Sequence, residues 1–280
     1  MRLALNALTD ELRRLKASGV GRVSVSDEGM ESLRRSVGAL AARPAAPPDE
    51  MPAPASPAGE APPVVDLPQG SKESRWEALR KRVLEDPVCR SKVRPGKKIV
   101  LGVGSLEAAI MFVGEAPGAE EEVQGEPFVG PAGQLLNRMI SGMGLSRGDV
   151  YIGNIMNWRP DLPTGPDGVQ TGNRPPNEKE MAHCLPYLRA QVDIVGPRLL
   201  VALGATAAKG LLGHKSFGAL GEVRGAWHEF GGRPLMVTYH PSYVLRNPTS
   251  RTKRLIWEDL LKVMERANIP ISEKQRGFFL

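Results

Sequence analysis

Cysteine is nearly absent from this chain, with two in 280 residues. That excludes a disulfide scaffold. It also excludes a zinc or iron–sulfur site built from thiolates alone, which takes about four. No apolar run approaches the roughly 18 residues of a membrane span. The opening stretch MRLALNALTDELRR is too short in its apolar part for a secretory leader, and acids follow at Asp10 and Glu11. These absences point to the reducing cytoplasm and to no membrane partner. A Lys-bearing, glycine-rich phosphate loop is also missing, which speaks against a nucleotide-binding α/β domain. No internal repeat is present.

What is there is ordinary for a globular chain: 41% hydrophobic and 24% charged residues. The formal charge is +6, with an isoelectric point near 9.4. The charge is unevenly spread. Residues 1–73 carry a net −1 and residues 74–280 a net +7. An anionic partner is therefore permitted for the second part, though charge alone assigns none.

Three segments follow from pattern. Residues 1–43 read as a small helical piece, with Leu3, Leu5, Leu8, Leu12 and Leu15 forming an amphipathic stripe. Residues 44–73 read as a flexible linker. Nine prolines and eight alanines occur in residues 41–70, too little large apolar surface to offset ordering entropy. Residues 74–280 form the main domain. There the spacing predicts helices over 76–84, 134–143, 178–195, 205–212 and 254–267. It predicts strands over 108–113, 150–155, 198–203 and 235–238. Such alternation implies a mainly parallel sheet flanked by helices, with sites beyond the strands' carboxyl ends.

Three of those strand ends run into unusual loops. The first holds Gly114, Glu115, Ala116, Pro117 and Gly118, then three acids, Glu120, Glu121 and Glu122, then Phe128. Its acidity makes it a poor phosphate cradle. Glu120 and Glu122 read as solvated residues at a helix start. Phe128 reads either as a loop anchor or as a ring offered to a ligand. At the second strand end, Asn154 reads either as a turn residue or as an amide matching a nucleobase edge. The third loop runs Tyr239, His240, Pro241, Ser242, Tyr243, Val244, Leu245, Arg246. His240 is either structural or a donor to developing negative charge. The aromatic, apolar and cationic neighbours suit insertion into a nucleic-acid groove with a phosphate contact.

Taken together and in order, VGEAPG, PFVG-x-AG-x-LL, N-x-x-x-x-RP, NR-x-P and HPSY-x-LRNP resemble the family 4 uracil-DNA glycosylases from about Trp76 to Val263. The resemblance implies a three-layer α/β/α sandwich with a central, mainly parallel sheet. It implies a monomeric enzyme of the nucleoid that flips uracil out of DNA and hydrolyses its N-glycosidic bond, starting base excision repair. By the same resemblance, Phe128 stacks on uracil, Asn154 reads its polar edge and His240 stabilises the leaving base. Glu115 and Ala116 lie in the water-activating motif, with Glu121 a second carboxylate of that loop. Ser242, Tyr243, Leu245 and Arg246 face DNA.

The chain departs from the family at its four-cysteine 4Fe–4S site. Cys89 and Cys184 stand at two of those positions, but Asp86 and Trp158 stand at the other two. No cluster and no other metal is expected, with packing around Trp158 in its place. A related branch bonds covalently to DNA through a K-R-R-I-H insertion. Residues 172–176 lack a histidine, so no covalent trapping is expected. The lost ligands leave an alternative: a weak or inactive DNA-binding protein of the same fold.

Overall fold

The computed structural model describes Ser26 and residues 62–280, apart from 166–167. The helical piece predicted over 1–43, and most of the linker predicted over 44–73, lie outside the described residues. Residues 62–68 form neither helix nor strand, but Val65 and Leu67 pack half-buried against the core. Helix α1, Lys72–Glu85, starts inside the predicted linker, where the Ser71 hydroxyl caps it by accepting from the Ser74 N–H.

After α1 come α2 (Pro87–Lys92), β1 (Val103–Gly104), β2 (Ile110–Gly114), α3 (Ala119–Gln124), α4 (Pro131–Gly142) and β3 (Tyr151–Asn154). Then follow α5 (Glu178–Val195), β4 (Leu199–Leu203), α6 (Ala205–Leu212), β5 (Trp227–Phe230) and β6 (Arg233–Thr238). The chain closes with α7 (Pro241–Arg246), α8 (Ser250–Arg266) and α9 (Glu273–Arg276). The strand order is β1-β3-β2-β4-β6-β5. The four inner strands are parallel, and the two edge strands β1 and β5 are antiparallel to their neighbours.

Alternation along the strands builds a core on each face of the sheet. Met111 and Val113 of β2 join Leu200 and Ala202 of β4 in one cluster, covered by Leu79 of α1, Leu188 of α5 and Leu211 of α6. Ile110 and Phe112 join Leu199 and Val201 in the other, covered by Leu136 of α4 and Leu260 of α8. The result is the expected α/β/α sandwich. Among the described residues no helix is long and apolar enough to cross a membrane.

Parallel pairing also fixes where the loops emerge. Gly114 pairs with Asn154, and Leu203 with Thr238, so four strands end along one edge. Glu115, Asn154, Gly204 and His240 lie at or just beyond those ends.

Candidate active site

A cleft of about 870 Å³ opens at that edge. Glu115, Ala116, Glu121, Phe128, Asn154, His240, Ser242, Tyr243 and Arg246 all line it. Leu245 does not; it stands 43% exposed on α7. Asn173 and Arg174 of the NR-x-P motif also line the wall, as does Thr206, which carried no signal in the pattern.

Phe128 is held in an uncommon backbone conformation, φ +54°. Such a residue persists only where its surroundings over-determine it. Here Arg147 donates to the Pro127 and Phe128 carbonyls at 2.6 and 3.2 Å. Glu121 accepts from the Val129 and Gly130 N–H groups at 3.0 Å on one oxygen and from Gly118 N–H at 3.0 Å on the other. Glu121 therefore ties the glycine-rich turn to the Phe128 loop, and both its oxygens are engaged. Glu121, expected beside Glu115 as a second carboxylate of the loop, lines the cleft with these backbone bonds holding it in place.

Glu115 is differently placed. Among the described residues no backbone amide bonds its carboxyl, and burial raises its pKa above the usual carboxylate value, with a Thr206 hydrogen bond opposing. Asn154 is 7% exposed, and among the described residues its side-chain oxygen has no hydrogen-bond partner. Buried polar atoms are rarely left so. Gly114 makes room for both neighbours: a Cβ there would stand 2.5 Å from the Phe128 ring and would collide with Asn154 Oδ1.

The third loop is not irregular. Residues 241–246 form α7, with Pro241 at its first turn and His240 as N-cap. His240 Nδ1 accepts from the Ser242 N–H at 3.2 Å and lies 2.8 Å from the Ser242 hydroxyl. An Nδ1 that accepts leaves the ring proton on Nε2. Burial, then Arg246, pushes the pKa of His240 down to about 4, with Glu121 opposing, so the ring is neutral at pH 7. Its centroid lies 5.6 Å from that of Phe128. Ser242, expected to face DNA, lines the cleft, with its hydroxyl and N–H both against this imidazole. Tyr243 stacks on Tyr239 at 4.5 Å.

Glu122 corrects another expectation. It is buried and takes a 2.8 Å ion pair from Arg159. The same guanidinium donates to Asn173 Oδ1 and the Gly172 carbonyl at 2.9 and 2.8 Å. Together they fasten the 170–174 stretch, part of the cleft wall, to α3. Glu122→Gln weakens a charge-assisted bond to a buried guanidinium and is expected to cost about 1.5–3 kcal/mol in urea unfolding. An unchanged midpoint would contradict this anchoring.

Residues 101–261 match the uracil DNA glycosylase superfamily. The chain belongs to that superfamily. The type-4 uracil-DNA glycosylase of Thermotoga maritima is 37% identical over 193 residues, covering 69% of this chain and 94% of that protein. Its counterpart from Pyrobaculum aerophilum is 43% identical over 163 residues, covering 55% and 77%. Within the superfamily the chain falls with this type-4 group.

A second constellation of this type-4 chain lies away from the cleft, where α1, α2 and α5 meet. Asp86 accepts from Cys89 N–H at 2.6 Å and from Tyr187 hydroxyl at 2.8 Å, and its Oδ1 lies 3.1 Å from His183 Nε2. Burial works to raise its pKa, but these three partners outweigh it and hold the carboxyl below its usual range. Cys89 and Cys184 are fully buried free thiols, and the Cys184 thiol, then burial, pushes the Cys89 pKa up. Trp158 is 1% exposed in the same apolar cluster. These residues do not fit a 4Fe–4S cluster. A tryptophan side chain fills the third ligand position, and the donor atoms of Asp86, Cys89 and His183 crowd within 4.8 Å of one another, leaving no room for a cubane between them. The pattern of cysteines alone missed His183, although it directly precedes Cys184.

Proposed function

We propose that the chain is a uracil-DNA glycosylase acting as a monomer on DNA in the cytoplasm, at the nucleoid, without a 4Fe–4S cluster. One observation carries the reading: a buried, unpartnered Asn154 oxygen shares a cleft with the Phe128 ring and the neutral His240. Uracil has a flat face for the ring, an N–H for the Asn154 oxygen and a carbonyl for the His240 Nε2–H. Leu245 and Arg246, exposed on α7, suit the space vacated by the flipped base and a phosphate beside it.

In the reaction the C1′–N1 bond breaks and its electron pair leaves with the base, spreading onto a carbonyl oxygen. A neutral imidazole donating from Nε2 stabilises that charge more than it stabilises the bound substrate. Water supplies the new bond to C1′, and its proton passes to Glu115, whose burial makes it a stronger base than a free carboxylate. The departed base takes a proton from solvent.

Incubation with single- and double-stranded DNA carrying uracil, followed by alkali, is expected to give breaks at the uracil position. Tight DNA binding without breaks, at high enzyme excess, would favour the inactive binding protein instead.

A further inference from the structure

We infer that Asp86, Cys89 and His183 form a mononuclear divalent-cation site of the zinc class, separate from the residues that line the catalytic cleft. The inference is independent of the glycosylase reading. It rests on donor type, spacing and support.

The donor set is mixed: one carboxylate, one imidazole and one thiol. Zinc takes these ligands in tetrahedral sites, whereas magnesium and calcium select oxygen alone. Bond lengths of about 2.0–2.3 Å put neighbouring donors about 3.3–3.8 Å apart around one tetrahedral ion. The Asp86 oxygen and His183 nitrogen stand 3.1 Å apart, and the Cys89 sulfur lies within 4.8 Å of both. Cys184, fully buried on the same helix as His183, lies outside this close group of donors. The spacing suits a single ion.

Backbone and neighbours hold the donors in place. Asp86 caps α2, and Cys89 follows on its first turn. His183 and Cys184 sit on α5, 97 positions from Asp86 in the case of His183. The Tyr187 hydroxyl binds Asp86 Oδ2 at 2.8 Å, which orients the carboxylate and leaves Oδ1 toward the other donors. Trp158, its ring centroid 6.1 Å from that of His183, supplies an apolar wall that keeps water out. One ion would then tie α2 to α5, and metal binding would add directly to the stability of the fold.

The test is elemental analysis of the full chain by plasma mass spectrometry, with cobalt(II) titration of chelator-treated protein followed in the visible. The expected result is about one zinc per chain, cobalt d–d bands with a sulfur charge-transfer band, and a melting temperature that falls on chelation. Cys89→Ser and His183→Ala are expected to abolish the cobalt bands. Because either variant risks misfolding, Tyr187→Phe provides a milder change and is expected to weaken metal affinity by about 10–100-fold in a folded chain. Folded protein with neither zinc nor cobalt bands would overturn the proposal in favour of a metal-free hydrogen-bonded plug. Stoichiometric iron with acid-labile sulfide would overturn it in favour of a cluster.

Discussion

His240→Ala is expected to slow uracil release by about 10²–10³-fold while leaving DNA affinity nearly unchanged. The magnitude is that of removing one preorganised donor from the place where negative charge develops. DNA affinity should survive because it comes mainly from phosphate contacts, which this uncharged ring does not make. The pH dependence is equally specific. His240 is neutral down to its pKa of about 4, so between pH 8 and 5 it contributes no acid limb to the rate. Its contribution to stability runs the other way from a paired histidine. The unfolded chain takes up a proton near pH 6.5 and the folded chain only near 4, so folding loses stability as pH falls through that window. His240→Ala is expected to remove that slope from melting curves recorded across it. A full rate in the variant, or an unchanged slope, would refute the role.

Gly114→Ala is expected to lower the rate by at least about 10²-fold, the cost of moving reacting groups by about an ångström. Its added methyl would meet the Phe128 ring and the Asn154 oxygen together, the two groups proposed to grip uracil. Neither yields easily. Phe128 is pinned through its backbone by Arg147 and Glu121, and Asn154 is fixed in register on β3. Overpacking of this kind costs about 1–3 kcal/mol of stability. Measuring melting temperature beside single-turnover rate separates the two effects. A folded variant with the rate of the parent would mean that the cleft does not grip the base through this pair.

The long periodic segments were legible in the sequence. The 178–195 and 205–212 helices run as their patterns require, and the buried strands end where the glycines and polar residues stop them. The edge strands were not legible. β1 spans two residues, and β5 is half-solvated, so neither has an apolar run to read. The short helix α7 was hidden because six residues carry less than two turns of periodicity.

The site divided in the same way. Residue types at strand ends pointed to Phe128, Asn154 and His240. What each acidic residue does depended on partners far along the chain. Glu121 and Glu122 are adjacent in sequence, yet one binds three backbone amides and the other a guanidinium from residue 159. Likewise, Asp86 looked like a lost cluster ligand until α5 brought His183 and Tyr187 against it.

The most direct test of the uracil-excising cleft is the amount of free uracil released from an oligonucleotide with one deoxyuridine, using the full chain in excess. The expected result is free uracil and abasic sites in equal amounts, each matching the substrate consumed, with release slowed about 10²–10³-fold in His240→Ala. DNA held tightly by the folded chain, with its uracil still attached, would contradict it.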